Sequence, residues 1–168
     1  GTPPFLQTIK IALAIKLKEQ MGTANIKLRE EELLSIVWNK LGNVEGLHIL
    51  ADQHKDRLGV VSFYIDGLHY NLAVKLLNDK FGIQTRGGCS CAGTYGHYLL
   101  NVDEEYSHQI TDEVDTGNFS HKPGWIRMSI HPTMSNTEVE FIADSILNLT
   151  ENKEAYAKDY DFNNRLAV

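Results

Sequence analysis

The stretch WIRMSIHPTMSNTEVEFIADSILNL, residues 125–149, joins two kinds of secondary structure and decides the fold class. Its first part alternates as a strand does, with apolar residues on one face and polar residues on the other: Ile126, Met128 and Ile130 against Arg127 and Ser129. Its second part predicts a closing helix, because Ser135 and Glu138 stand at the spacing of a capping box. The stretch therefore predicts a strand followed by a helix.

Upstream of this stretch, three segments predict strands and one predicts a helix. GLHILA (46–51) and RLGVVSFYI (57–65) are the first two strands, and the second is rich in Val, Ile and aromatic residues. A helix is expected from about Tyr70 to Phe81, with Gly82 ending it. IQTRG (83–87) is expected to form a short strand that leads into a glycine-rich loop.

The first 41 residues predict two helices. The first lies in residues 2–22, with Thr2 as its cap and Gly22 after its end. Its shared apolar face comprises Phe5, Leu6, Ile9, Ala12, Leu13 and Leu17. The second helix is expected over about residues 28–41, with glutamates near its start. Its apolar stripe comprises Leu33, Leu34, Val37, Trp38 and Leu41.

Residues 93–124 are polar, carry an acidic cluster and are expected to be irregular. Residues 151–168 are expected to form a polar tail that lies on the surface or is mobile. Few of the predicted strands have the crossover helices that a parallel sheet requires. The expected fold is therefore α+β, with a small, mainly antiparallel sheet covered by helices.

Charge and composition exclude several classes of protein. Sixteen Lys and Arg against 22 Asp and Glu give a net charge of −6, which argues against a general nucleic-acid binder. No stretch approaches the roughly 20 apolar residues of a membrane span. Two cysteines are too few for a disulfide framework, so a cytoplasmic chain with reduced thiols is expected. The chain opens GTPPFLQ without Met, and we expect it to be a piece of a longer protein.

Both cysteines, Cys89 and Cys91, lie in one glycine-rich loop. Glycines let the backbone turn sharply and approach a ligand, and Arg86 nearby would favour a thiolate. Three interpretations compete: two small side chains packed in a turn, a metal site formed with His97, or a nucleophilic cysteine. The metal site lacks the usual pair spacing and a second pair, so no metal is predicted.

Arg127 is the second candidate for a functional role. Its position on the polar face of a strand is typical of an arginine exposed to solvent. The alternative is a clamp for a carboxylate, which the planar guanidinium binds with two hydrogen bonds. His97 and His131 follow the two candidate segments, but their spacing alone assigns them no role.

With these segments in view, the chain resembles the C-terminal part of class V aminotransferases. These are fold-type I pyridoxal-phosphate enzymes that include cysteine desulfurases and selenocysteine lyases. Four stretches carry the resemblance, in family order: GTPPFLQTI (1–9), RLGVVSFYI (57–65), IQTRGGCSCAG (83–93) and WIRMSIHPTMSNTEVE (125–140). The resemblance implies the small C-terminal domain of such an enzyme.

The resemblance also implies roles for individual residues. Cys91 falls where desulfurase-like members have their sulfur-accepting cysteine, and Arg86 matches an arginine close to the active site. Arg127 matches the arginine that binds the substrate's α-carboxylate. Gly1 and Thr2 match a loop that reaches the cofactor phosphate of the partner subunit, which suits a hydroxyl and a backbone N–H at a helix N-terminus.

The chain departs from the family pattern at the cysteine loop and in lacking the family's large domain. Many desulfurases have two histidines where this chain has Cys89 and Ser90, and the C-x-C loop is similar to that of molybdenum-cofactor sulfurases, which keeps Cys89 a candidate. The Schiff-base lysine of the family belongs to a large domain that precedes GTP. We therefore expect residues 1–23 to link to that domain, residues 24–150 to form the small domain and residues 151–168 to be a tail.

The resemblance implies a cysteine desulfurase that passes sulfur from L-cysteine to Cys91. The alternatives are a pyridoxal-phosphate aminotransferase or lyase acting on another amino acid, and a metal-binding or structural module without activity. The chain alone is expected to be inactive and to bind no pyridoxal 5'-phosphate. The full-length protein is expected to be a homodimer with a sulfur-acceptor protein as a further partner.

Overall fold

The computed structural model describes residues 1–89 and 93–161. Within these residues the helices are α1 (Phe5–Met21), α2 (Thr23–Leu41), α3 (Tyr70–Phe81), α4 (Gly93–Leu99), α5 (Glu104–Asp115) and α6 (Asn136–Ala157). The strands are β1 (Leu47–Ile49), β2 (Val60–Ile65), β3 (Arg86–Gly88) and β4 (Trp125–Ser129). The expected α+β class is confirmed.

The four strands form one antiparallel sheet in the order β1-β2-β4-β3. β4 therefore lies between β2 and β3 and is paired on both sides, while β1 and β3 are the edges. The register places Phe63 opposite Ile126 and Ser62 opposite Arg127. Because side chains alternate along a strand, this register gives the sheet one apolar face and one polar face.

The apolar face of the sheet and helices α2, α3 and α6 enclose the core. The sheet contributes Val61, Phe63, Ile65, Ile126 and Met128, all nearly fully buried. From α2 come Leu33, Leu34, Val37 and Leu41, which confirms the predicted stripe; Trp38 is only partly buried. Burying each such side chain contributes about 1.5–3 kcal/mol, so this layer fixes the sheet's orientation.

Helix boundaries confirm some predictions and correct others. α3 runs from Tyr70 to Phe81 and ends at Gly82 in the left-handed conformation, as predicted. The capping box of Ser135 and Glu138 at the start of α6 is also present. However, α6 continues to Ala157, beyond its predicted end at Leu149, so residues 151–157 of the predicted polar tail are helical. Good helix formers such as Glu154 and Ala155 extend it.

The prediction of an irregular loop over residues 93–124 is wrong. Two helices, α4 and α5, occupy much of it. Asp103 caps α5 by accepting a hydrogen bond from the backbone N–H of Tyr106 at 2.8 Å. Glu104 and Glu105 occupy the first turn, where carboxylates are favourable at the positive end of the helix dipole. The acidic cluster is thus a helix start.

The first two helices also begin elsewhere than predicted. α1 starts at Phe5 with Pro4 as its N-cap residue and no side-chain cap, so Thr2 does not cap it. α2 begins at Thr23, five residues before the expected start, directly after Gly22. None of the residues of α1 is buried, including its predicted apolar face. Among the described residues, no helix combines the length and apolar character needed to cross a membrane.

Candidate functional site

The polar face of the sheet carries a row of three aligned side chains. Ser62 lies opposite Arg127 across the β2–β4 ladder, and Arg127 lies opposite Arg86 across the β3–β4 ladder. Residues directly opposite in an antiparallel sheet project to the same face with their Cβ atoms about 5 Å apart. The two predicted arginines are therefore neighbours, Arg127 half-buried in the sheet and Arg86 exposed at its edge.

This arginine pair is electrostatically costly by itself. Like charges directly opposite one another destabilise a sheet. In the described part of the chain, neither Arg86 nor Arg127 forms a salt bridge with a carboxylate. Two adjacent guanidinium groups without an internal counterion make this face suited to an anion.

Arg127 also lines an open cleft of about 220 Å³ between the sheet and α4. Tyr95 and Leu99 of α4 and the buried Trp125 form part of its wall. Arg57 lines it as well, but its guanidinium donates to the carbonyl oxygens of His54 at 2.7 Å and Leu50 at 3.2 Å, and to that of Ala51. Burial lowers the pKa of Arg57, partly opposed by Asp52. Arg57 is thus occupied in holding its own loop.

Cys89 is fixed where β3 ends. The preceding Gly88 has φ +115°, which a side chain would strain, and Cys89 follows it. The thiol of Cys89 donates a hydrogen bond to the carbonyl oxygen of Pro123, with Sγ and O 2.9 Å apart. Burial raises the pKa of Cys89, partly opposed by Lys122. Cys89 is therefore a thiol and not a thiolate at neutral pH.

The ring of Tyr70, at the start of α3, packs against two glycine segments. A Cβ on Gly87 would lie 2.8 Å from Tyr70 Cδ2, and one on Gly124 would lie 2.6 Å from Tyr70 Cδ1 and Cε1. The Gly124 Cβ would also lie 3.1 Å from the Cα of Gly88. The glycines near the cysteines, which the sequence suggests form a turn, also form the surface on which the Tyr70 ring packs. Sequence reasoning missed Tyr70.

His97 belongs to α4, and its Nδ1 lies 3.2 Å from the hydroxyl of Ser107 in α5. His97 and Cys89 line the same open cavity of about 490 Å³. Within residues 1–89 and 93–161, no cluster of three or more His, Cys, Asp or Glu side chains could hold a metal ion. Cys91, the predicted acceptor, lies outside the described residues, so its role stays a prediction.

The model for the family described as Aminotransferase class-V matches residues 1–142. The chain belongs to this family. A cysteine desulfurase of Haloferax volcanii is 31% identical over 120 residues, which cover 68% of this chain and 28% of that protein. A probable cysteine desulfurase of Synechocystis is 32% identical over 122 residues, covering 68% of this chain and 29% of the relative.

Two solved structures are similar to this chain in fold. The apo structure of cysteine desulfurase from Thermococcus onnurineus NA1 has a TM-score of 0.66 and 25% identity, covering 90% of this chain and 32% of that chain. A cysteine desulfurase of Escherichia coli, with a TM-score of 0.60 and 17% identity, shares the fold. The chain spans about three-tenths of the length of these relatives and solved chains.

The two residues of this class V chain that are predicted to bind the cofactor phosphate lie at its N-terminus. Gly1 and Thr2 are exposed, and a Cβ on Gly1 would have nothing within 4 Å. They precede α1, whose N-terminus has no side-chain cap. A backbone N–H and a hydroxyl beside an uncapped helix start fit a phosphate group chemically. Their role stays a prediction.

Proposed function

We propose that this chain is the substrate-gripping and sulfur-accepting part of a cysteine desulfurase. The observation that carries the proposal is the register pair Arg86–Arg127, on the polar face of the sheet and at the strand that precedes the two cysteines. Relatives named as cysteine desulfurases support the reaction class. The substrate is L-cysteine, whose carboxylate matches the charge of the pair.

Arg127 binds the α-carboxylate of L-cysteine in this proposal. Its half-buried position in a central strand restricts the guanidinium, so that less conformational entropy is lost on binding. Arg86 at the edge adds positive potential and remains exposed. The carboxylate in turn removes the like-charge repulsion between the two arginines.

Cys91 accepts the sulfur as a thiolate. The bond between Cβ and sulfur of the substrate breaks, and a sulfur–sulfur bond to Cys91 forms. The electron pair of the broken bond stays with carbon, and the proton lost by the Cys91 thiol goes to that carbon. The products are L-alanine and a persulfide on Cys91, so no outside oxidant is required.

Pyridoxal 5'-phosphate belongs to the proposal as the cofactor of the whole protein. Gly1 and Thr2 would contact its phosphate, for which their N–H and hydroxyl groups are suitable donors. When bound, the cofactor supplies an electron sink for the α-carbon of the substrate. The exposed position of these two residues supports a homodimer in which they serve the partner's site.

A cytoplasmic location and a sulfur-acceptor protein complete the proposal. A persulfide must be passed on before the next turnover, which requires a thiol or another acceptor. The cytosol keeps thiols reduced, as the proposed acceptor cysteine requires.

The test uses the full-length protein with pyridoxal phosphate and L-cysteine. Sulfide and alanine are measured for wild type, Cys91→Ala, Arg127→Ala and the control Ser129→Ala, which alters an exposed residue on the same strand face. We expect Cys91→Ala to abolish sulfide release. Arg127→Ala should raise KM about 10- to 100-fold, the value of a charge-assisted hydrogen-bond pair, while Ser129→Ala leaves it unchanged. Cofactor binding without sulfide from any form would refute the desulfurase and favour an aminotransferase or lyase.

A further inference from the structure

The two cysteines of the loop differ in the chemistry that their surroundings permit. An accepting cysteine reacts as a thiolate, which needs a lowered pKa and access. Cys89 is held in the opposite state: it is half-buried, its thiol proton is engaged with the Pro123 carbonyl at 2.9 Å, and burial raises its pKa. Ionising Cys89 would remove that hydrogen bond and place an anion against a carbonyl oxygen.

The bond between Cys89 and Pro123 joins two segments that are 34 residues apart in the chain. Pro123 directly precedes Gly124 and β4, the strand that carries Arg127. Cys89 directly precedes residues 90–92, which contain the proposed acceptor. The bond therefore ties the residue directly before the proposed acceptor segment to the residues directly before the strand that carries Arg127.

Packing on both sides reinforces this tie. The ring of Tyr70 lies against Gly87 and Gly88 of β3 and against Gly124. After the segment, α4 rests on the same place, because a Cβ on Gly96 would lie 3.3 Å from the Trp125 ring and 3.8 Å from the Cβ of Cys89. Cys89 before segment 90–92 and α4 after it therefore both contact residues 123–125.

We propose that Cys89 is a positioning residue for sulfur transfer to Cys91: its hydrogen bond to Pro123 fixes the residue directly before segment 90–92 relative to the start of β4, and the Tyr70 ring packs on the adjoining glycines. This inference rests on the proposed function. It assigns the two thiols separate tasks, since Cys89 holds the loop by remaining protonated while Cys91 reacts. A serine at position 89 can donate the same hydrogen bond, whereas an alanine cannot.

The test compares Cys89→Ala with Cys89→Ser in the full-length holoenzyme. The first readout is the rate at which iodoacetamide alkylates Cys91, followed by mass spectrometry from pH 6 to 9. We expect Cys89→Ala to change this rate at least threefold and to shift its pH profile, while Cys89→Ser reproduces wild type. The second readout is single-turnover persulfide formation, expected to fall about tenfold in Cys89→Ala with KM and the cofactor absorbance unchanged.

A second variant, Tyr70→Leu, keeps the thiol and removes the ring, and should shift the alkylation profile in the same direction. The proposal is overturned if both Cys89 variants match wild type in alkylation, or if the persulfide is found on Cys89. A wild type that binds pyridoxal phosphate and releases no sulfide would refute the proposed function instead. The alkylation comparison decides the positioning role in that case too, because it requires no turnover.

Discussion

At the scale of single residues, Tyr70 explains why glycines stand where they do around the candidate site. Its ring fills the space that side chains at positions 87 and 124 would occupy. Gly88 adds a backbone requirement, with φ +115°. The glycines therefore bring β3 and the start of β4 close together, and at Gly88 the fold also uses the conformational freedom of glycine.

Gly124→Ala should destabilise the chain by about 1–3 kcal/mol, the usual cost of overpacking. The new methyl group would lie 2.6 Å from two ring carbons of Tyr70, and the backbone of Gly88 prevents it from moving away. Urea unfolding measures the effect. Gly93→Ala is the matched control, because a Cβ there meets nothing within 4 Å. Equal stability of the two variants would contradict the packing described for Tyr70.

The residues of the site were only partly predictable from sequence. The alternation of β4 correctly placed Arg127 on the face opposite Ile126. The position of Arg127 beside Arg86 could not be predicted, because the two residues are 41 positions apart in the chain and meet only when β3 pairs with β4. Tyr70 carried no signal either, since an aromatic residue at a helix start is ordinary.

At the scale of elements, caps decide where the two core helices α3 and α6 begin. His69 caps α3, its Nδ1 accepting a hydrogen bond from the backbone N–H of Asn71 at 3.2 Å. Ser135 caps α6 and exchanges hydrogen bonds with Glu138. Both helices cover the apolar face of the sheet, so the caps fix where their buried residues fall.

Ser135→Ala should lower the free energy of unfolding by about 1 kcal/mol, the typical value of an N-cap. The substitution leaves the backbone N–H of Glu138 without its acceptor and removes one side of the capping box. Urea unfolding of the variant and of Thr137→Ala, an exposed residue in the same turn, separates the cap from a general loss of side chain. A loss no larger than that of Thr137→Ala would refute the role of the box.

The cap of α3 should make stability depend on pH. Burial lowers the pKa of His69, partly opposed by backbone hydrogen bonds of Phe119 and Lys122. Just below pH 6.5 the unfolded chain binds a proton that the folded chain does not, so stability falls as the pH decreases. Protonation would also remove the acceptor at Nδ1.

His69→Asn supplies a cap that does not titrate. The difference in unfolding free energy between wild type and this variant, measured in urea from pH 7.5 to 5, should change steadily in favour of the variant towards low pH. A constant difference across that range would mean that the imidazole titrates equally in both states and would contradict this prediction.

Elements with a clean hydrophobic period were the predictable ones. α3 was located to the residue because its stripe ends at a glycine that can adopt positive φ. α4 and α5 were missed, since their buried residues are few: Gly96 in the one and Ile110 in the other. The cap at Asp103 with Glu104 and Glu105 was the signal that would have located α5.

At the scale of the whole molecule, the described chain has a packed body and an exposed first helix. α1 contacts α2, yet its large apolar side chains are more than half exposed: Phe5, Leu6, Ile9, Ile11, Leu13, Ile15 and Leu17. An apolar surface of this extent is typical of an interface that another body covers.

The 168-residue chain on its own should therefore associate as its concentration rises. Replacing Ile9 and Leu13 together by Glu, one turn apart on α1, should shift it to monomers in sedimentation equilibrium. Replacing the exposed Phe141 of α6 by Glu serves as the control, because that site is a single apolar residue on a polar helix face. A wild type that stays monomeric at high concentration, or a control that dissociates equally, would contradict the assignment to α1.

The shortness of the two edge strands affects how the sheet can associate with other chains. β1 and β3 each contain only three residues, and two of the three in β3 are glycines. An edge displays unpaired N–H and C=O groups that another chain can add to, and long flat edges of this kind seed cross-β fibres. Here strand addition ends after a few hydrogen bonds. The shortness of both edge strands thus protects the domain from amyloid-like growth.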